Sequence, residues 1–286
     1  MLSFTKKQII KVLKRVIYLL STIFPNTFSK VAYQLIINPR KKLNKPSSDQ
    51  LSILKKSTQV KFSYKNYTIK TYQWGSGKKR ILLVHGWEGQ ASSFYNLIDR
   101  LNSKEYTIYA FDAPSHGYSD RTKNSFIDFI QIMPELFNKF SPHILITHSF
   151  GAVPATYSLS LDRTLQIERF IMFAPPNKFS DRIDDVMEIL GVSKKVKKPL
   201  IKKIETEFSL PFKTLNISNF IKRVNVEKAL ILHDLNDKVC SVQYSREIYK
   251  NWPVSQFEIL EGTGHSKILR ANISIDKTIN FISKSN

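Results

Sequence analysis

Three short segments of the chain carry residue types able to act together on a carbonyl. The first is Ile144-Leu145-Ile146-Thr147-His148-Ser149-Phe150-Gly151-Ala152. An apolar run of strand length meets a serine and then small residues that open a helix. A serine on such a turn has its hydroxyl exposed at the positive end of the following helix, where a nucleophile is of use. The second segment, Leu230 to Val239, is an apolar strand followed by a loop with two carboxylates, Asp234 and Asp237. The third, Phe257 to His265, is a strand and then the glycine-flexible loop Gly262-Thr263-Gly264 ending in a histidine. Serine, acid and histidine suffice for nucleophilic catalysis, provided the fold unites them. Histidine takes the serine proton, and the acid fixes the imidazole tautomer.

Positioning these segments requires strands that alternate with helices. Val60–Tyr64 and Tyr67–Trp74 flank Lys65-Asn66 and predict a hairpin. Wholly apolar or β-branched runs at Ile81–Val84, Thr107–Phe111, Ile144–Thr147, Phe170–Ala174, Ala229–Leu232 and Gln256–Leu260 predict buried strands. Helical patterns lie between them, at Ala91–Leu101, Ser125–Phe140 (with Pro134 inside it), Ala152–Leu161, Val242–Asn251 and Ile268–Ile282. This alternation predicts an α/β protein with a mostly parallel, doubly wound sheet. The stretch from about 176 to 226 has no strong strand and predicts a small helical cap inserted above the strand carboxyl ends.

The serine segment resembles the nucleophile elbow of the α/β-hydrolase fold superfamily, G-x-S-x-G, with Thr147 in place of the first glycine. Serine, acid and histidine also follow one another in that superfamily's order. The resemblance implies Ser149 as nucleophile, His265 as base and Asp237, just before Val239, as acid; Asp234 becomes a loop or capping residue. His85-Gly86-Trp87 resembles the H-G-x loop of the superfamily. It implies that the backbone N–H groups of Trp87 and Phe150 form an oxyanion hole, with His85 bracing the loop. Asp112 to Asp120 resembles D-x-x-G-H-G-x-S, with Ser115 where glycine is usual and His116 beside the site. Trp87, Phe94 and His116 are the expected substrate-lining residues. The resemblance spans roughly Phe62 to Ile282 and is similar to an uncharacterised bacterial branch. It implies hydrolysis of a small-molecule carboxylic ester or thioester through an acyl-enzyme, with no cofactor. The alternatives are an acyltransferase or carbon–carbon bond hydrolase on the same triad, or a membrane-associated binding protein without catalysis.

Composition bounds the remainder. The 286 residues hold 44 Lys and Arg against 23 Asp and Glu, a formal charge of +21. The lysines are scattered, with no aromatic-interleaved basic stripe or zinc-finger spacing, so nucleic acid is not an expected partner. The histidines lack ligand spacing, so no metal site is expected. The single cysteine, Cys240, permits no intramolecular disulfide and fits a reducing compartment. The expected location is therefore the cytoplasm, with a peripheral place at the inner membrane surface as a variant. Oligomeric state has no signature in the chain.

Residues 1–48 stand apart as a basic helical extension and linker, before a hydrolase domain at 49–286. The first acidic residue is Asp49. Ahead of it, Ile9, Val12, Leu13, Val16, Ile17, Leu20 and Ile23 recur at helical steps beside Lys7, Lys11 and Lys14, up to Pro25. A second apolar-periodic piece covers Phe28 to Ile37, and Arg40 to Ser48 reads as a linker. The first helix suits packing on the hydrolase body or over its mouth, and also, compatibly, contact with an anionic membrane through residues 1–24.

Overall fold

The computed structural model describes residues 2–40, 46–101, 104–208 and 211–284. The chain divides into two compact units, Met1–Asn38 with Lys178–Leu215, and Pro39–Asn177 with Asn216–Asn286.

The larger unit is built on one eight-stranded sheet. Its strands are β1 Thr58–Tyr64, β2 Tyr67–Trp74, β3 Lys79–Val84, β4 Tyr106–Phe111, β5 Ile144–His148, β6 Gln166–Phe173, β7 Asn225–Asp234 and β8 Ser255–Leu260. Their spatial order is β1-β2-β4-β3-β5-β6-β7-β8. β1 pairs antiparallel with β2 and β2 with β4; every other neighbour pairs parallel. Parallel strands must be covered on both faces, and period-two alternation divides their side chains between two cores. Leu82, Val84, Leu145 and Met172 join one core, with Phe129, Leu136 and Ala155. Ile81, Leu83, Ile144, Ile146 and Ile171 join the other, with Leu97, Ile98 and Ile275.

The helices of this unit depart from the sequence patterns where proline or a turn intervenes. Ser48–Lys55 forms a helix capped by Ser47, whose hydroxyl accepts from the Gln50 N–H while the Gln50 side chain accepts from the Ser47 N–H. The expected linker thus ends earlier than Ser48, and its core, 41–45, lies outside the described residues. Ala91–Phe94 is a 3₁₀ turn leading into a short helix, Tyr95–Arg100. Ser125–Gln131 and Met133–Phe140 are two helices, because Pro134 falls in the first turn of the second, where its missing N–H is no loss. Pro154 occupies the same kind of place in Ala152–Leu161, among first-turn N–H groups that have no partner within the helix. The expected helix at Ile268–Ile282 is the turn Gly264–Lys267 followed by Asn272–Ser283.

The smaller unit is helical. We label its helices α1 Leu2–Ile23, α2 Pro25–Ile37, α3 Phe179–Leu190 and α4 Lys197–Phe208. The stretch read from sequence as an extension therefore shares a unit with the insertion after β6. α2 packs against α3 and α4, and Ala32, Tyr33, Ile36 and Ile37 are buried along with Ile183, Leu200 and Ile204. Lys203 lies over the Tyr33 ring, 4.5 Å from its centroid. The Ser193 N–H donates to Ser21 Oγ at 2.8 Å, tying α1 to the turn between α3 and α4. Among the described residues no helix is long and apolar enough to cross a membrane.

Candidate active site

β5 ends at His148, and the next residue turns sharply. Ser149 has φ +48°, in the left-handed region that costs a non-glycine residue about 1–2 kcal/mol. The chain then passes through Ser149–Gly151 into the helix Ala152–Leu161. Close packing explains the small residues. A Cβ on Gly151 would stand 2.5 Å from the carbonyl oxygens of Val84 and His85, and one on Gly86 would stand 3.0 Å from Ser149 Cβ. Gly151 is thus required by backbone contact with the loop after β3, and Gly86 lets that loop pass close beside Ser149. Thr147, which replaces a glycine usual in such turns, is buried in the strand and pairs with Met172. The turn forms regardless.

Ser149 Oγ donates to His265 Nε2 at 2.9 Å, and His265 Nδ1 donates to Asp237 Oδ2 at 2.7 Å. Ser149 and His265 are half-buried; the Asp237 carboxylate is fully enclosed. Burial alone would raise the Asp237 pKa. Hydrogen bonds from His233, His265 and the Cys240 N–H outweigh it and hold the carboxyl well below the usual carboxylate range. Asp237 Oδ1 accepts from the Val239 and Cys240 N–H groups at 2.8 and 2.9 Å, which fixes its rotamer.

The neighbouring carboxylate, Asp234, does something else. Its Oδ1 accepts from the Asn236 N–H at 2.9 Å, and its Oδ2 from the Thr263 N–H and hydroxyl at 2.6 and 2.9 Å. It binds the loop after β7 to the loop that carries His265. Burial opposes its ionisation, but donors led by the Gly264 and Asn236 N–H groups lower its pKa.

Three other histidines order the surroundings. His85 Nδ1 donates to the Gly86 carbonyl at 2.7 Å, and Nε2 accepts from the Ala113 N–H at 2.9 Å, so the neutral ring joins two loops. His148 Nε2 donates to the His265 carbonyl at 2.9 Å. Burial, reinforced by His265, pushes the His148 ring down to about 3 and keeps it neutral. His233 is fully buried; Nε2 donates to the Cys240 carbonyl at 2.9 Å and lies 3.5 Å from Asp237 Oδ2, while Ser245 Oγ donates to Nδ1 at 2.6 Å. Sequence reasoning passed over His148 and His233 as isolated histidines. The available signal for His233 was its place at the end of β7, four residues before Asp237.

Trp87, His116 and Phe150 meet in an aromatic cluster completed by Phe126 and Phe129. The Trp87 ring meets His116 edge-on at 4.9 Å and Phe150 at 5.5 Å, and Phe126 lies 4.8 Å from Phe150. Phe94 belongs elsewhere. It is fully buried in the core on the opposite face of the sheet, with Leu97, Ile98 and Trp74, whereas Trp87 and Phe150 pack on the first core. The expectation that Phe94 lines the site is corrected: the 3₁₀ turn Ala91–Phe94 directs its ring into that second core. Ser115 takes φ +65°, which accounts for glycine being usual there. Its hydroxyl accepts from the Thr122 N–H at 2.8 Å, anchoring the residue in that conformation.

Residues 81–200 match the model of the alpha/beta hydrolase family. The match includes Ser149 and the Gly86 loop; Asp237 and His265 lie beyond it. Among solved structures, the chain is similar to a candidate lipase from Acinetobacter baumannii AYE, at 15% identity over 85% of this chain and 98% of that one, TM-score 0.63. It is similar to a membrane phospholipase A, a bacterial virulence factor, at 13% identity over 99% and 98%, TM-score 0.61. A bromoperoxidase from Bacillus anthracis aligns at 15% identity over 80% and 100%, TM-score 0.60. No curated protein matches the chain in sequence.

Proposed function

The chain has the α/β-hydrolase fold, and from that premise we propose that it is a serine hydrolase of carboxylic esters or thioesters. The observation that carries this reading is the unbroken relay Ser149 Oγ–His265 Nε2, His265 Nδ1–Asp237 Oδ2, at 2.9 and 2.7 Å.

His265 Nε2 takes the Ser149 proton as Oγ attacks the acyl carbon. The new bond places negative charge on the former carbonyl oxygen, which the N–H groups of Phe150 and Trp87 stabilise. Close passage of Gly86 beside Ser149 supports that pairing. Collapse of the adduct expels the alcohol or thiol, which receives the proton from His265. Water then attacks the acyl-enzyme with His265 again as base. Asp237 stays ionised throughout, since its hydrogen bonds favour the charged form, and it stabilises the imidazolium. The aromatic cluster of Trp87, Phe126 and Phe150 favours an apolar acyl group.

The test is covalent labelling with a fluorophosphonate, followed by turnover on acyl esters of increasing chain length. Wild-type protein is expected to take up the probe, and Ser149→Ala to lose both labelling and turnover. Equal labelling of the variant would exclude Ser149 as nucleophile.

A further inference from the structure

Helix α1 is turned the opposite way from an ordinary surface helix. An amphipathic helix of a water-soluble protein buries its apolar stripe and shows its charges. Here the contacts with the rest of the smaller unit are made by the other side. Ser21 is fully buried and bonded to the Ser193 N–H. The Lys14 stem lies against Gly191, so that a Cβ there would meet Lys14 Cγ at 3.3 Å. Ile9, Val12, Leu13, Val16, Leu20 and Ile23 form the apolar stripe, and each is exposed, from 42% at Leu20 to 66% at Ile9 and Ile23. A contiguous apolar face of this kind is a docking surface.

Charge selects the occupant. Lys11, Lys14 and Arg15, on the side of the helix away from the stripe, border an open cavity of about 520 Å³ together with Tyr18, Leu19 and Gly191. A second copy of the chain would carry the same net charge of +21, with no acidic residue ahead of Asp49 to pair with these cations. An anionic bilayer meets both demands at once. Acyl chains cover the stripe, while lipid phosphates meet the cations, whose long aliphatic stems reach the interface.

We propose that α1 docks this protein on an anionic membrane surface, with the stripe from Ile9 to Ile23 in the acyl boundary and lipid headgroup phosphates at Lys11, Lys14 and Arg15. The helix lies in the plane of the interface, since it is not apolar enough to span it. The inference does not depend on the proposed chemistry of Ser149.

The full chain is to be floated with vesicles of phosphatidylcholine alone and of phosphatidylcholine with phosphatidylglycerol in equal parts. Binding is expected to be about 100-fold tighter on the anionic vesicles, from roughly fivefold per cation, and to fall with added salt. Ile9→Ser/Leu13→Ser/Val16→Ser should abolish flotation, and Lys11→Gln/Arg15→Gln, which leaves Lys14, should cut the preference for phosphatidylglycerol from about 100-fold to about fivefold. Because every substituted side chain is exposed, both variants should keep the wild-type melting temperature. Absence of flotation, or unchanged flotation of the triple variant, overturns the proposal. So does sedimentation showing a lipid-free dimer that the triple variant dissolves, with no vesicle binding by either protein.

Discussion

Asp237 Oδ2 faces two histidines: His265 Nδ1 donates to it at 2.7 Å, while His233 Nε2, which donates to the Cys240 carbonyl, lies 3.5 Å away. Only His265 reaches Ser149. His233 is fully buried, and its other nitrogen is held by Ser245. His233 thus acts on the carboxylate through Cys240, whose carbonyl it holds and whose N–H donates to Asp237 Oδ1 at 2.9 Å.

His233→Asn should lower kcat by about tenfold and leave KM unchanged, the effect of one buried hydrogen bond of about 1 kcal/mol and some loss of carboxylate order. Asp237→Asn should cost far more, on the order of 10⁴ in kcat, because it leaves the wrong tautomer at His265. Steady-state kinetics on one ester measure both. Equal losses would show that His233 is more than a positioning residue.

Gly151 is a packing requirement that can be tested without any substrate. A Cβ there would meet the Val84 and His85 carbonyl oxygens at 2.5 Å. Gly151→Ala should therefore destabilise the fold by about 1–3 kcal/mol, the usual cost of overpacking. Urea unfolding measures it. Thr147→Gly makes a useful contrast: a glycine in a strand interior weakens it, so no stability should be gained from restoring the commoner residue.

Acid sensitivity should trace to His148. Burial lowers its folded pKa to about 3, against roughly 6.5 for an unfolded histidine. Between these values the unfolded chain binds a proton that the folded one refuses. Stability is full above about pH 6.5, falls as pH drops through the window, and stops responding to this group below about pH 3. His148→Asn should flatten that fall by up to about 1.4 kcal/mol per pH unit. Denaturant unfolding from pH 7 to 4 would reveal it; an unchanged slope would assign the sensitivity elsewhere.

Strands were legible wherever apolar residues ran unbroken, as at Ile81–Val84, because a strand covered on both faces needs no polar alternation. Their ends were less so. β6 begins at Gln166 and β7 at Asn225, earlier than the apolar runs, since backbone pairing between them continues through polar residues. Ser149, His265 and a loop with two carboxylates were readable from loop order after strands; the choice of Asp237 over Asp234 rested on the resemblance. Phe94 was misjudged because hydrophobicity is the same in a pocket wall and in a core, and only the 3₁₀ turn decides which way the ring faces.

The sequence by itself determined the alternation of strand and helix, the glycines at close backbone contacts and the amphipathic pattern of α1. Those are local properties, fixed by side-chain period and by steric demand. Only the tertiary structure decided which of two carboxylates meets His265, that His233 stands behind it, and which face of α1 is left open. Each depends on residues far apart in the chain. Asp234 ends β7 and Asp237 follows only three positions later, yet Thr263 holds the first and His265 the second. α1 shows the same limit: periodicity defines two faces, but the contacts of Lys14 and Ser21 with the segment after α3 choose which one turns outward.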